Sequence, residues 1–250
     1  STYICHPSMT NNELSGLIVS MGLIDYFKKL RNLEKTIRFI FIPETIGSIN
    51  FIHKNFKNLK KNLIGGYNLS CVGDDRNYSC MLSKYGNSHC DFALLKAFKL
   101  LKLKFKIFSF LKRGSDERQF NSPGIDMPMA SIFRTKYGEY PEYHTSLDDF
   151  KLVTETGVKG GFKVAKKAIQ LLLKKIIFLN SILCEPQLSK RNLYSYLDKK
   201  DRTNYIKLKD FLQYADGKND LAQISKYIDL NLAQTKKIYK TLKKNKLIKN

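Results

Sequence analysis

Histidine is scarce in this chain, and two of its four histidines follow predicted strands. His6 comes directly after a short strand over Thr2–Cys5, and His144 lies in a tyrosine-rich loop. In parallel α/β sheets, ligands gather at the carboxyl ends of strands. Neutral imidazoles there suit a zinc site, whereas a lone histidine is more often a satisfied surface or core residue. The spacing leaves both roles open.

Carboxylates follow two other predicted strands. Glu44 comes after Ile37–Ile42, a strand that Pro43 ends, and Asp74 comes after Tyr67–Val72. A carboxylate at a strand end suits a metal ligand or a general base acting on water. Glu44 also precedes a helix start and Asp74 precedes a turn, so capping is the alternative role for each.

Strands and helices alternate along the first part of the chain. This alternation predicts an α/β fold with a mostly parallel sheet sandwiched by helices. The predicted strands are Thr2–Cys5, Ile37–Ile42, Tyr67–Val72, Phe105–Leu111 and Met129–Arg134. The predicted helices are Leu14–Leu30, Gly47–Leu59, Asp91–Leu101 and Val158–Leu183.

The tail has a different pattern, which predicts a small C-terminal winged helix-turn-helix. A helix over Leu208–Tyr214 ends before Gly217, and two further short helices follow, capped by Asp220 and Asn231. The predicted organisation is therefore an α/β domain over 1–183, a linker over 184–206 and a winged-helix-like domain over 207–250.

The chain is strongly basic, with 44 Lys+Arg against 22 Asp+Glu and a formal net charge of +22. Such an excess favours nucleic acid or an anionic surface as a partner. The excess is spread along the whole chain in a background rich in Lys, Asn and Ile, which weakens that inference. A hydrophobic content of 43% excludes a disordered or fibrous chain.

Five cysteines without a CxxC pair favour neither a disulfide framework nor a thiolate zinc site, and a reducing cytoplasm fits this pattern. The apolar runs are far shorter than the ~20 residues that cross a bilayer, so no membrane is expected as a partner. The chain opens in strand-like sequence without an initiator Met. We therefore expect it to lack an upstream part of the α/β fold.

Several segments together resemble the zinc aminopeptidase superfamily, and more closely its aminopeptidase-like branch of uncharacterised activity with a C-terminal winged helix. They occur in the order of the family's motifs and extend over almost the whole chain. These segments are Cys5–Ser8, Asn11–Gly16, Ile42–Ser48, Ser115–Phe120 and Tyr143–Ser146.

The resemblance implies a zinc site built from strand ends. It makes His6 the first histidine ligand and His144 the last, and it places Glu44 where the family has a Glu-Glu pair. Asp74 takes the position of a later Asp ligand, although a shift of register puts Ser70 there instead. Only one Glu is present at the pair.

The metal-bridging Asp of the family aligns with Asn12, whose neutral carbonyl is a poor bridge between two cations. Glu13 is the neighbouring carboxylate that substitutes if the turn relaxes. We therefore expect zinc as cofactor, with one or two ions and at most one bound tightly. Replacing Asn12 with Asp is expected to raise the zinc content toward two if the remaining ligands are intact.

The resemblance also places a loop beside the substrate. Arg118 suits bidentate binding of an anionic group, with a surface ion pair to its acidic neighbours as the alternative. Asp148 or Asp149 either orients His144 or caps a helix. The predicted substrate-binding residues are Asp116, Glu117, Arg118 and Tyr143.

Two functions compete on this evidence. The first is a zinc-dependent aminopeptidase-type hydrolase that acts on a small peptide-like or amide substrate, with Glu44 activating water. The second is a DNA-binding or interaction protein with a catalytically degenerate peptidase-like domain. The lysine-rich third helix of the tail suits phosphate contacts, but packing or homo-oligomerisation suits the tail better.

Overall fold

Helices cover both faces of a mostly parallel sheet in the first of two units into which the chain divides, Ser1–Lys174 and Lys175–Asn250. The structure is a computed structural model. It describes residues 1–6, 8–31, 33, 35–174, 177–193 and 199–249. Across these ranges, no helix combines the length and the apolar character that a membrane crossing requires.

The sheet of the first unit places the sequence-predicted strands side by side. Strand β1 pairs in parallel with β2, and four further strands run in the order β3-β6-β4-β5, in which only β4 and β6 are antiparallel neighbours. Ser1 bonds to the backbone of β3, so β1 lies between β2 and β3. The strands are β1 Thr2–Tyr3, β2 Phe41–Ile42, β3 Gly66–Leu69, β4 Ser79–Met81, β5 Lys106–Phe108 and β6 Met129–Phe133.

Alternate residues of the central strand face two apolar layers, as the two-residue period of a strand requires. Ala130 and Ile132 of β6 pack in the core beneath α1, α3 and α5. Met129 packs on the other face against α2 and α4. The α/β fold is thereby confirmed. The helices are α1 Ser15–Lys28, α2 Ile46–Asn62, α3 His89–Leu100, α4 Glu117–Phe120 and α5 Glu155–Leu173.

Several elements differ from the sequence prediction: the strands predicted in the first unit are all shorter than predicted, and the helix predicted over Leu208–Tyr214 spans Lys199–Gln213. The strand predicted over Ile37–Ile42 is paired only at Phe41–Ile42, because β1, its neighbour, begins at Thr2. The short strand β4 was not predicted. The helix predicted over Val158–Leu183 ends at Leu173, and the chain enters a strand at Ile177.

A π-helical turn over Thr10–Leu14 precedes α1. Its wider ring shows in the bond from the Leu14 amide to the Met9 carbonyl, five residues back, at 3.2 Å. Such turns occur frequently at functional sites. Gly16 lets the start of α1 approach the sheet, since a Cβ there would collide with the Leu69 carbonyl and the Thr2 hydroxyl. This close approach brings the turn to the ends of β1 and β3.

The second unit is a three-stranded antiparallel sheet with three helices, which is the expected winged helix-turn-helix. Capping boxes begin α7 at Asp220 and α8 at Asn231, as the sequence predicts. The elements are β7 Ile177–Asn180, α6 Lys199–Gln213, β8 Asp216–Asp220, α7 Leu221–Tyr227, α8 Leu232–Lys244 and β9 Ile248–Lys249.

The division between the units differs from the predicted linker over 184–206. Phe178 and Leu188 are buried in the core of the second unit with Phe211 and Leu242. The apolar residues just before and within the predicted linker are therefore part of this domain, and the chain divides at Lys174. Residues 194–198 of that linker lie outside the described residues.

Candidate active site

Two imidazoles that are distant in sequence meet at the ends of the strands. The ring centroids of His6 and His144 lie 4.8 Å apart, tilted by 44°. His6 Nδ1 lies 2.7 Å from a carboxylate oxygen of Glu13, and the other oxygen of Glu13 accepts the Cys5 amide at 2.5 Å. Glu13 is buried in the π-helical turn. It therefore fixes the ring of His6 through Nδ1 and leaves Nε2 for another partner.

His144 is held on a ring of Tyr143. The two rings stack at 3.9 Å with an interplanar angle of 19°. Burial and the neighbouring His6 lower the pKa of His144. A neutral imidazole is the form that binds metals or accepts protons. The backbone of His144 has φ of 57°, in the left-handed region that residues other than glycine rarely adopt.

Glu44 stands at the end of β2 among polar groups. Its amide donates to Cys5 Sγ at 2.8 Å. Burial raises the pKa of the Glu44 carboxyl, and the nearby Asp116 adds to this, while a bond from Ser115 and the charge of Arg118 oppose it. No side-chain cap bond is made at the start of α2. The capping role considered for Glu44 is therefore not the one it has here.

Thr45 connects Glu44 to the predicted substrate loop. Its amide donates to Asp116 at 2.8 Å, and its hydroxyl accepts from Arg118 at 2.6 Å. At φ 61° this β-branched residue is a clear backbone outlier. Among the described residues, Nε of Arg118 is buried without a hydrogen-bond partner. Such an unpaired group is costly unless a ligand satisfies it.

Arg118 forms no ion pair with its acidic neighbours among the described residues, so the surface-pair alternative does not apply. Glu117, unlike Arg118, has its side chain fully bonded within the protein. Its carboxylate is buried and accepts from Tyr137, Ser131 and the loop backbone. Glu117 therefore fixes the loop, and its predicted contact with substrate is not supported.

A neutral network occupies the turn beside the imidazoles. Tyr3 donates to the Asn12 side-chain oxygen at 2.8 Å and lies 2.8 Å from the Ser70 hydroxyl. Ser70 also donates to the Asn12 carbonyl at 3.3 Å. Burial raises the pKa of Tyr3 well above its usual value and that of Cys71 to about 12, so both stay neutral. Tyr3 was not among the predicted site residues, although its position on the strand that leads to His6 indicated that it lies near the site.

Asp148 anchors the π-helical turn from outside. Its two oxygens accept the Asn11 amide at 2.5 Å and the Asn12 amide at 3.1 Å, and Tyr140 donates to it at 3.1 Å. Asp148 therefore caps a turn, which is the second of the two roles considered for it. The turn it caps precedes it by more than 130 residues.

Asp74 is engaged by the fold rather than free for a ligand. Its oxygens accept from the Thr135 amide and hydroxyl, the Asn11 side chain and the Arg76 amide, at 2.6–3.1 Å. It is also fully buried. Asp74 therefore has the alternative role, that of stabilising a turn, and its assignment as a metal ligand is not supported by this geometry.

These contacts decide which metal arrangement the residues fit. In the described ranges, no group of three or more His, Cys, Asp or Glu side chains is arranged to hold a metal ion. The neutral Asn12 and Ser70 and the engaged Asp74 do not fit a two-zinc centre. The 4.8 Å separation of the imidazole centroids is close to the roughly 5 Å of two rings that share one zinc ion at ~2.1 Å.

Comparison with known families agrees with this architecture. Residues 1–175 match the model of a family described as a domain of unknown function, DUF4910. The chain belongs to this family. Residues 176–250 match a winged helix-turn-helix model, which begins where the second unit of this DUF4910 chain begins.

A relative from Clostridium acetobutylicum is named a candidate polysaccharide biosynthesis protein with an aminopeptidase-like domain. It is 34% identical over 231 residues, which cover 90% of this DUF4910 chain and 52% of the relative. The chain thus spans about half the length of the curated relative it matches.

Solved structures show the same fold. A candidate peptidase from Clostridium acetobutylicum has a TM-score of 0.68 at 32% identity, over 99% of this chain and 56% of that one. An aminopeptidase from Aneurinibacillus sp. strain AM-1 has a TM-score of 0.56 at 19% identity, over 66% and 40% of the two chains. A zinc aminopeptidase from Bacillus subtilis gives 0.55 at 19%, over 67% and 45%. At such identities, the last two show the fold alone.

Proposed function

We propose that the first unit is an aminopeptidase-type hydrolase of an amide or peptide bond that works with at most one zinc ion. The observation that carries the proposal is the meeting of His6 and His144, with Glu13 holding His6. Glu44, whose pKa burial raises, bonds through its amide to Cys5, the residue before His6. The lowered pKa of His144 and the raised pKa of Glu44 favour a catalytic site over a structural cluster. The aminopeptidase-like fold supports the same reaction class.

The residues divide the chemistry among them. Glu44 accepts the proton of the attacking water, a task that its raised pKa suits because a stronger base removes a proton more readily. Arg118, held by Thr45, donates to an anionic or carbonyl group of the substrate. His6 and His144 would hold the zinc ion, which when bound supplies Lewis-acid polarisation of a carbonyl.

The proposal is tested by measuring zinc content and hydrolysis together. After zinc reconstitution we expect no more than one zinc per chain and slow hydrolysis of a panel of aminoacyl anilides. N-acetylated amino sugars belong in the panel because the Clostridium relative is assigned to polysaccharide biosynthesis. A folded chain with neither zinc nor activity would overturn the proposal.

Two variants separate binding from chemistry. Glu44→Gln is expected to abolish hydrolysis and to retain zinc. Glu13→Gln is expected to weaken zinc binding by about 10–100-fold, as loss of a carboxylate behind a histidine ligand does. Glu155→Gln, an exposed carboxylate on α5, is the control and should change neither quantity. Full activity in Glu44→Gln would rule out its role as the base.

A second function, DNA binding by the second unit, is favoured by the charge of α8 and the residues after it. From Asn231 to the end of the chain the sequence contains no acidic residue. Its lysines are exposed, which suits phosphate contacts. They are Lys236, Lys237, Lys240, Lys243, Lys244, Lys246 and Lys249.

This second function predicts a measurable salt dependence. Replacing Lys236, Lys237 and Lys240 with Gln should weaken duplex DNA binding and reduce the log–log salt slope by about 2–3. The matched control replaces three exposed lysines of the first unit with Gln and should leave the slope unchanged. These are Lys96, Lys99 and Lys104. Equal effects of the two triple variants would show only non-specific attraction of a basic protein to DNA and would contradict this function.

A further inference from the structure

An apolar groove of about 400 Å³ opens in the plane of the first unit's sheet. Its sides are residues 35–40, which lead into β2, and residues 62–67, which lead into β3. Helices of both layers line its two faces. Leu23 and Leu172 come from one layer, and Phe51, Leu59 and Phe120 come from the other.

The groove continues the line of strand β1. The Ser1 nitrogen donates to the Tyr67 carbonyl, and the Leu69 amide donates to the Ser1 carbonyl, both at 2.8 Å. On the other side, the Thr2 amide donates to the Ile40 carbonyl at 3.0 Å. Ser1 itself lines the groove. The groove is therefore bordered by the same two backbone segments that flank β1.

One border has the character of a strand without a partner. Thr36 and Arg38 are exposed, whereas Ile37 and Phe39 are half-buried, which is the two-residue period of a strand. Residues 36–39 make no backbone–backbone hydrogen bond in the part of the chain that the structure describes. Arg38 is two residues before Ile40, so its amide and carbonyl face the same side as the Ile40 carbonyl that β1 uses.

We propose that this groove binds an extended apolar peptide segment of about three residues as a parallel strand in line with β1. The unbonded backbone of residues 36–39 favours a polypeptide over a compact small molecule, because an extended backbone can form a strand ladder with it. The apolar layers on both faces select apolar side chains at successive positions, as in a parallel strand buried on both sides.

Occupation of the groove has a consequence for the candidate site. Strand β1 consists of Thr2 and Tyr3, which pair with β2, and the chain continues from Tyr3 directly to Cys5 and His6. A strand in the groove extends this ladder and stabilises the segment that carries the imidazole. The inference does not depend on the proposed hydrolysis, because strand binding is measured without a substrate.

The test uses a fluorescein-labelled peptide with three central valines between polar flanks, titrated against the full chain by anisotropy. The matched peptide has proline in place of the middle valine. We expect the proline peptide to bind at least about tenfold more weakly, since it lacks a strand donor and leaves an acceptor unpaired. Saturable binding of the valine peptide should also raise the thermal midpoint of the chain.

Two variants of the protein test the same hydrogen bonds by changing the groove instead of the peptide. Arg38→Pro removes the amide that faces the groove, whereas Arg38→Ala removes only the side chain. Both variants lose the side chain and only Arg38→Pro loses the amide, so we expect the valine peptide to bind more weakly to Arg38→Pro than to Arg38→Ala. A third arm fuses the valine or the proline segment directly before Ser1, and only the valine fusion should raise the midpoint. Equal behaviour of the valine and proline segments, free and fused, would overturn the proposal.

Discussion

At the scale of single residues, the neutral pair Asn12 and Ser70 sets the charge of the site. Two divalent ions ~4 Å apart repel four times as strongly as two unit charges, so a bridging carboxylate is needed to hold them. Here the bridging position is an amide whose oxygen already accepts from Tyr3. The absence of a carboxylate at both residues supports the proposal of one zinc ion rather than two.

The substitution Asn12→Asp alone is therefore expected to leave zinc at no more than one per chain, because Asp74, the other carboxylate predicted as a ligand, is bonded to Thr135 and Asn11. The double variant Asn12→Asp with Ser70→Asp restores two carboxylates and should raise zinc content above one. Metal analysis by mass spectrometry after reconstitution measures both. Two zinc ions in the unmodified chain would contradict this account.

Burial of Glu44 makes the stability of the fold depend on pH. Burial raises its pKa above 4.5, so the folded chain holds this proton more tightly than the unfolded chain does. Unfolded chains then bind fewer protons, and the contribution of Glu44 to stability falls as pH rises through the folded pKa. Glu44→Gln should therefore gain stability relative to the unmodified chain between pH 4.5 and 7, as urea midpoints measure.

Asp25 provides a control of opposite sign for this measurement. Its bonds to Lys28 and Lys29 lower its pKa to about 2. Asp25→Asn should therefore lose relative stability as pH rises from 2 toward 5, and it should show no change between pH 5 and 7. A pH dependence of the same sign in both variants would contradict the assignment to Glu44.

Residue types at strand ends predict part of this site and not the rest. The approach of His6 to His144 could be predicted because strand ends of a parallel sheet lie side by side, whereas the catalytic role of Glu44 stays a prediction. Asp74 and Glu117 were assigned to metal and substrate, but carboxylates also satisfy turn amides, and only tertiary contacts decide between these uses. Tyr3 was missed because a strand tyrosine ordinarily indicates core packing.

At the scale of elements, the close approach of α1 to the sheet positions the π-helical turn. Gly16→Ala places a methyl group against the Leu69 carbonyl and the Thr2 hydroxyl, so something must move. We expect a loss of about 1–3 kcal/mol of stability, as overpacking costs. A reduced zinc affinity should accompany it, because Asn12 and Glu13 shift with the turn.

Gly22 lies on the same helix and is the matched control for this substitution. A Cβ there meets only the ring of Phe162, at an ordinary 3.4 Å. Gly22→Ala should raise stability by about 0.5–1 kcal/mol, because alanine is the better helix former. Thermal unfolding of both variants compares them directly, and equal destabilisation would show that space at Gly16 is not the cause.

Helices were predicted better than strands because their signals are local. Caps at Asp220 and Asn231 satisfy their own helices, so sequence alone identifies them. Strand boundaries depend on a neighbour, and residues 37–39 have strand-like sequence but bond to no other strand in the described part of the chain. The end of α5 at Leu173 was missed because the apolar run that follows suits a helix and a strand equally.

At the scale of the whole chain, the two units have separate cores, and this separation predicts independent folding. The core of the second unit consists entirely of residues from Phe178 onward. Two of its helices, α7 and α8, begin at capping boxes that need no residue of the first unit. Stability in such a case depends on apolar burial within the unit rather than on its neighbour.

Residues 175–250 expressed alone are therefore expected to fold, with a dispersed amide NMR spectrum and a cooperative thermal transition. The fragment 207–250 is the matched control, since it lacks Phe178 and Leu188, which are almost fully buried in this core. Loss of two such side chains costs several kcal/mol, at about 2–5 for each, which a domain of this size does not tolerate. The shorter fragment should be unfolded. A folded 207–250 would restore the predicted linker as a true linker, and an unfolded 175–250 would show that the second unit depends on the first.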